Sequence, residues 1–276
     1  MESSLLVVDL DTVFDDRVCD RDRMALERLR STGCEIGFTS SGRAAAARAR
    51  MRALGLEGWI IGCDGAQLAR ARDGHLLCRH SLPASIAARA QEILSAMQLE
   101  VFAVTADGAH GPPGAHELAQ TALGFASEGY TSAPALRAEI CALVAAGDTA
   151  RVHAGANALT ELAPTRIARA TYSLPSGGSA LRVSSRRGSR ARAIGDLAAR
   201  LGTRRTRAAY VTGVRGPYVD ASAILELPRV FCLPDVPVER LGARCERLVA
   251  RAGEGALAEA IDRWRRTAAE LVHASA

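Results

Sequence analysis

Over the first 66 residues, apolar runs that end in polar clusters alternate with helical stretches, and this alternation narrows the fold more than any other feature. Leu5 to Leu10 predicts a short buried strand ending on two carboxylates, Asp9 and Asp11. A helix follows over Asp20 to Arg30, with Met24, Leu26 and Leu29 near helical spacing, and Gly33 stops it. Glu35 to Thr39 predicts a second strand, which runs into Thr39-Ser40-Ser41-Gly42-Arg43. An Ala/Arg-rich helix then reaches Leu54 and Gly55, and Trp59-Ile60-Ile61 predicts a third strand leading into Cys63-Asp64-Gly65-Ala66. Strand, helix and strand repeated with short connections imply an α/β fold: a parallel sheet with helices on both faces. Ligands of such sheets gather beyond the carboxyl ends of the strands, where Asp9, Asp11, Thr39 to Arg43 and Asp64 all fall.

The same rhythm resumes late in the chain. Leu181-Arg182-Val183, Ala208 to Thr212 and Val230 to Leu233 predict strands, Arg187-Gly188-Ser189 opens a helix to Leu201, and a last helix covers Gly255 to His273 with Leu257, Ile261, Trp264 and Leu271 on one face. Between the two halves lie a hairpin over Gln67 to Arg79 turning at Asp73-Gly74, a helix opened by Pro83, and a strand over Glu100 to Thr105. Helices near Pro134 to Ala142 and Ala154 to Leu162, and a strand near Ala168 to Leu174, come next. Pro175-Ser176-Gly177-Gly178 is expected to be a linker. The predicted organisation is a core domain of residues 1–81 and 177–276, interrupted by an inserted α/β cap of residues 82–176.

Composition excludes several classes. No stretch approaches the roughly 18 apolar residues of a membrane span, and Met1 and Glu2 lead straight into the first strand without a basic leader, so a cytoplasmic protein is expected. The net charge of +5 comes from basic residues interleaved with Ala and Glu along helices, and aromatic residues are scarce at 4%, so no nucleic-acid partner is expected. The seven cysteines show no zinc spacing and predict mainly buried apolar fillers. All 35 basic residues are arginine, so any role for a fixed cation falls to a guanidinium.

These motifs and their order resemble the haloacid dehalogenase (HAD) superfamily, specifically its Cof-like group with a type IIB cap, over nearly the whole chain. Asp9-Leu10-Asp11, followed by Thr12-Val13, corresponds to the family's Asp-x-Asp-Gly-Thr. The resemblance makes Asp9 the nucleophile that takes a phosphoryl group and Asp11 the general acid/base for the leaving oxygen. Ser41-Gly42-Arg43 matches Thr-Gly-Arg, which assigns phosphate binding to Ser41 and Gly42, and Asp64-Gly65-Ala66 matches the structural turn Asn-Gly-Ala. Arg187-Gly188-Ser189 takes the place of Lys-Gly-Ser, with Arg187 as the phosphate-binding cation.

The fourth motif departs most. Gly213-Val214-Arg215-Gly216-Pro217-Tyr218 stands where the family has Gly-Asp-x-x-Asn-Asp, so Val214 and Tyr218 replace both acids that serve Mg2+. Asp9, Asp11 and, two residues past Tyr218, Asp220 are the candidate metal ligands, and Arg215 brings a positive charge to the same loop. The resemblance implies a phosphohydrolase acting on a small phosphorylated metabolite, a sugar phosphate, through an aspartyl-phosphate. The alternative is a silent relative that binds a phosphorylated ligand or a protein partner. The six histidines are dispersed and build no second site.

Overall fold

A computed structural model describes residues 4–15, 17–106, 108–115, 117–118, 130–131, 139–213, 226–236 and 245–274. The first sheet begins with β1 (Leu5–Asp9), whose residues are all buried. This strand lies between β2 (Glu35–Thr39) and β12 (Ala208–Thr212), parallel to both. A continuous apolar run is what a central parallel strand with two covered faces requires. Beyond β2 come β3 (Trp59–Gly62), also parallel, and then the antiparallel hairpin β4 (Gln67–Arg70) and β5 (Leu76–Arg79). Beyond β12 come β13 (Val230–Cys232) and β14 (Cys245–Arg247), which gives the order β14-β13-β12-β1-β2-β3-β4-β5.

Helices cover both faces, as the alternation predicts. Leu6 and Val8 face a cluster built with α2 (Asp20–Ser31), α3 (Ala44–Ala53) and the C-terminal helix (Ala256–Ala274), including Leu26, Met51, Leu257, Ile261 and Trp264. Leu5 and Val7 face the other way, onto Ile194, Leu197 and Tyr210. The short helix α1 (Leu10–Val13) leaves β1 directly. Cys232 and Cys245 form a disulfide between β13 and β14, a pairing their scattered sequence positions did not predict. Among the described residues, no helix is long and apolar enough to cross a membrane.

The inserted segment builds a second sheet, in the order β10-β11-β9-β6-β7-β8, with β7 at Ala109–His110 and β8 at Tyr130–Thr131. Its main strands are β6 (Glu100–Thr105), β9 (Ile140–Gly147), β10 (Ile167–Ser173) and β11 (Ser179–Ser185), all antiparallel to their neighbours among these four. One face is covered by α4 (Ala84–Ala96) and α5 (Thr149–Ala158). The other buries Cys63 and Ala66 of the first sheet's rim among Phe102, Val104, Ala142 and Val144. The inserted sheet therefore sits over the carboxyl ends of β1 to β3.

Two sequence expectations change here. Ile140–Gly147 is a strand paired on both sides, so Cys141 and Ala142 are not helical; residues 134–138 lie outside those described. Gly177 and Gly178, both at positive φ, turn the β10–β11 hairpin rather than link two domains, so the inserted sheet runs on to Ser185 instead of ending at Ser176. A Gly-Gly pair suits a tight turn as well as a linker, and only the partner strand decides between them.

Candidate active site

Asp9 ends β1 and caps α1, its Oδ1 accepting a hydrogen bond from the Asp11 amide at 3.1 Å. The chain turns at this point, so two carboxylates only two residues apart share one end of the sheet. Asp9 is 2% exposed. Its Oδ2 accepts from Arg190 Nη1 at 2.8 Å, Thr212 Oγ1 at 3.1 Å and the Tyr210 hydroxyl at 3.4 Å. Burial pushes the Asp9 carboxyl above its ordinary range, against the opposing pull of Arg190.

Asp11 is held from the second strand's turn. Ser40 Oγ donates to Oδ1 at 3.0 Å, while the Ser41 amide and hydroxyl donate to Oδ2 at 2.7 and 2.8 Å. Arg50 Nη1 stands 3.9 Å from Oδ1. Gly42 donates its amide to Ser40 Oγ at 3.0 Å and accepts from Cys63 N at 2.7 Å, which ties this turn to the turn after β3.

That third turn carries the Asp64 carboxylate. Cys63 and Asp64 both lie in the left-handed region, at φ 50° and 54°, a conformation that favours short polar side chains and costs most others about 1–3 kcal/mol. It directs Asp64 inward, where Oδ1 accepts from Arg190 Nη2 at 2.7 Å and Nε at 3.1 Å, and Oδ2 pairs with Arg182 Nε at 3.0 Å. Arg182 belongs to β11 of the inserted sheet, so a buried chain Asp9–Arg190–Asp64–Arg182 joins the two sheets. Two carboxylates and two guanidiniums balance in charge, which is the condition for burying them together. Beside this chain Tyr172 is pushed up to about 12, first by burial. Cys63 meets Cys141 of the inserted sheet, and that thiol–thiol hydrogen bond raises Cys63 and lowers Cys141.

The structure thus brings together Asp9, Asp11, Ser41 and Gly42, but not Arg187. Arg187 is exposed, and the guanidinium on Asp9 belongs to Arg190, the first residue of α6 (Arg190–Arg200). Order of motifs alone pointed to the first Arg-Gly-Ser after the cap. Periodicity carries the missing signal: Arg190 lies four residues before Ile194 and seven before Leu197, on the helix's buried stripe. Asp64, treated from sequence as a turn marker, is part of the ion network, and Ser40, Arg182, Tyr210 and Thr212 were not anticipated. Val214, Arg215, Tyr218 and Asp220 lie outside the described residues.

Asp9 and Asp11 offer Mg2+ two carboxylates, short of the near-octahedral set of oxygen ligands that it takes, and each of their four oxygens also accepts a hydrogen bond from a protein donor. Among the described residues no group of three or more His, Cys, Asp and Glu stands ready for a metal.

Two expected results follow from this geometry. A Cβ on Gly65 (φ +107°) would lie 2.4 Å from the carbonyl of Ser189 and 2.6 Å from Arg190 N, all backbone atoms. Gly65→Ala is therefore expected to destabilise the fold by at least about 1–3 kcal/mol in urea melts, displacing the start of α6 and with it Arg190. Asp9 gives the second. An acid whose folded-state pKa is raised contributes stability that is full below its ordinary value of 3.8 and is lost as pH rises through the raised value. In metal-free buffer the parent's stability relative to Asp9→Asn should accordingly rise as pH falls toward 3.8. A parent that loses stability relative to Asp9→Asn on acidification would contradict the assignment.

Residues 6–210 match the family model for haloacid dehalogenase-like hydrolases. Among solved structures, a haloacid dehalogenase-like hydrolase of B. subtilis superposes with a TM-score of 0.76 at 14% identity, covering 94% of this chain and 99% of that one. A Thermotoga maritima protein gives 0.74 at 14% identity, over 95% and 97% of the two chains. A Bacteroides thetaiotaomicron protein, described among phosphatases of the HAD superfamily, gives 0.76 at 13% identity, over 96% of each. At these identities the likeness is one of fold. No curated protein matches the sequence.

Proposed function

Because the chain belongs to the haloacid dehalogenase-like hydrolases, we propose that it hydrolyses the phosphomonoester of a small metabolite, a sugar phosphate, through an aspartyl-phosphate on Asp9. The observation that carries this reading is the paired end of β1: Asp9 and Asp11 joined by the Asp11 amide, with a guanidinium on Asp9. Asp9 Oδ1 accepts only that amide among the described hydrogen bonds, whereas Oδ2 accepts three, so Oδ1 is the oxygen with capacity to attack phosphorus. The Asp9 O–P bond forms as the ester P–O bond breaks, and protonated Asp11 gives its proton to the departing oxygen. Water then attacks the aspartyl-phosphate, Asp11 takes its proton, and the Asp9 O–P bond breaks.

Arg190 offsets the charge gathered when a carboxylate meets a phosphate. Ser41 presents an amide and a hydroxyl that Asp11 occupies in this structure, and an entering phosphoryl oxygen would compete for the same donors. The inserted sheet lies over these groups, where it is placed to select the substrate.

A second reading has its own support. With Oδ2 of Asp9 bound by three donors and its carboxyl raised by burial, the nucleophile is restrained, which favours a protein that holds a phosphorylated ligand and turns it over slowly or not at all. A panel of sugar phosphates, assayed for phosphate release with and without Mg2+, separates the two. Release that disappears in Asp11→Asn supports hydrolysis; saturable binding of the same compounds without release supports the silent form.

A further inference from the structure

Where the inserted sheet meets the rim of the first, two thiols from opposite sides of the joint touch. Cys63 follows β3, in the left-handed turn before Asp64, and Cys141 lies in β9; both are fully buried. Their sulfurs share a hydrogen bond. The surrounding side chains, among them Ala66, Phe102, Val104 and Ala142, are apolar, which by itself suits a pair of small fillers. Gln67 does not suit that reading. It is 1% exposed, its Oε1 accepts from the Ala44 amide at 2.8 Å, and its Nε2 donates to Cys141 Sγ at 3.6 Å. A buried amide pinned at one end and aimed at sulfur at the other gives Cys141 two donors, Gln67 and the Cys63 thiol.

Donors directed at a sulfur favour its thiolate, the form that reacts. The Cys63 bond leads in lowering the Cys141 thiol, with Arg79, Gln67 and Arg182 acting the same way, while the same bond raises Cys63. Cys34 shows the contrast. Its Sγ donates to the carbonyls of Ser4 and Glu35, 3.4 Å from each, and burial raises it. Of these three buried cysteines, Cys141 is the one built to react, and Cys63 is the thiol beside it.

We infer that Cys141 is a site of oxidation by hydroperoxides and Cys63 its resolving partner, so that oxidation latches the inserted sheet to the first through a Cys63–Cys141 disulfide. The Cys141 sulfur takes one oxygen of hydrogen peroxide as the O–O bond breaks, and the other oxygen leaves as water with the proton that the thiol gave up. The Cys63 sulfur then attacks the Cys141 sulfenic acid: the S–S bond forms, the S–O bond breaks, and a second water carries off the Cys63 proton. Two thiols lose two electrons, and the peroxide becomes two waters. Burial makes the reaction depend on local opening of the joint, and a peroxide scarcely larger than water needs only a small opening.

Native protein is treated with hydrogen peroxide, its free thiols are blocked in denaturant, and its peptides are mapped without reduction. A linked Cys63–Cys141 pair is expected, forming at least about tenfold faster than any other new pair and removed by dithiothreitol. Cys63→Ala should instead hold a sulfenic acid on Cys141, trapped by dimedone in denaturant, whereas Cys141→Ala should leave Cys63 a free thiol. The linked form should exchange the amides of Cys63 to Ala66 at least about tenfold more slowly than the reduced form, because the joint no longer opens. Both thiols still free in the folded, peroxide-treated parent would overturn the assignment, as would either thiol linked to a different cysteine, a sulfenic acid on Cys63 in Cys141→Ala, or exchange unmoved by the link. None of these measurements needs turnover, so they stand or fall apart from the phosphohydrolase reading.

Discussion

Arg190→Met is expected to destabilise the protein by about 3–5 kcal/mol, the cost of removing one partner from a buried ionic group. Arg190 serves two carboxylates at once, Asp9 at 2.8 Å and Asp64 at 2.7 Å, with 4% of its side chain exposed. Removing it leaves Asp9 without a guanidinium and Asp64 with Arg182 alone. Arg182→Met should cost less, since Asp64 then keeps Arg190. Combining Arg190→Met with Asp64→Asn should recover part of the loss, because the second change neutralises a charge that the first left short of a partner; groups in one network are non-additive in this way. Arg190→Lys should fall between, as a single ammonium cannot fork across both acids. Urea melts of the four variants give the comparison. Equal losses for Arg190→Met and Arg182→Met would mean that Asp9 draws little from its guanidinium.

The largest expected effect on activity is that of Asp9→Asn. An amide is no nucleophile toward phosphorus, so phosphate release should fall by roughly 10³-fold or more, to the level that binding and charge stabilisation alone support. The variant should stay folded, with the pH dependence set out above. This pairing of lost turnover with retained stability separates a chemical role from a structural one. Asp11→Asn should also lose turnover, but most strongly for substrates whose leaving oxygen is basic, since these depend most on a proton donor. Unchanged release in Asp9→Asn would place the chemistry elsewhere.

The sequence pattern located the elements that bury both faces and the acids that end β1, because parallel strands and their crossover helices carry strong local periodicity. Leu5 to Val8 could belong only to a strand covered on both sides, and the turn after it had to present Asp9 and Asp11. It failed where a residue's role depends on a distant partner. Cys141 and Ala142 carry helix-compatible composition, and pairing with β6 and β11 overrides it. Gly177-Gly178 turns a hairpin whose two strands are legible in the sequence but whose pairing with each other and with β9 is not. Motif order favours Arg187, and only the buried face of the helix distinguishes Arg190 from it. Asp64 has one of its two charge partners, Arg182, on a strand of the inserted sheet more than 110 residues away, a contact no local pattern encodes.

The central claim is that Asp9 accepts the phosphoryl group. Incubation with a 32P-labelled substrate that the panel shows to be turned over, followed by rapid acid quench and peptide mapping, tests it most directly. The account predicts a hydroxylamine-sensitive label on the peptide that contains Asp9, absent from Asp9→Asn. Label retained in Asp9→Asn, or found on a peptide without Asp9, would contradict it.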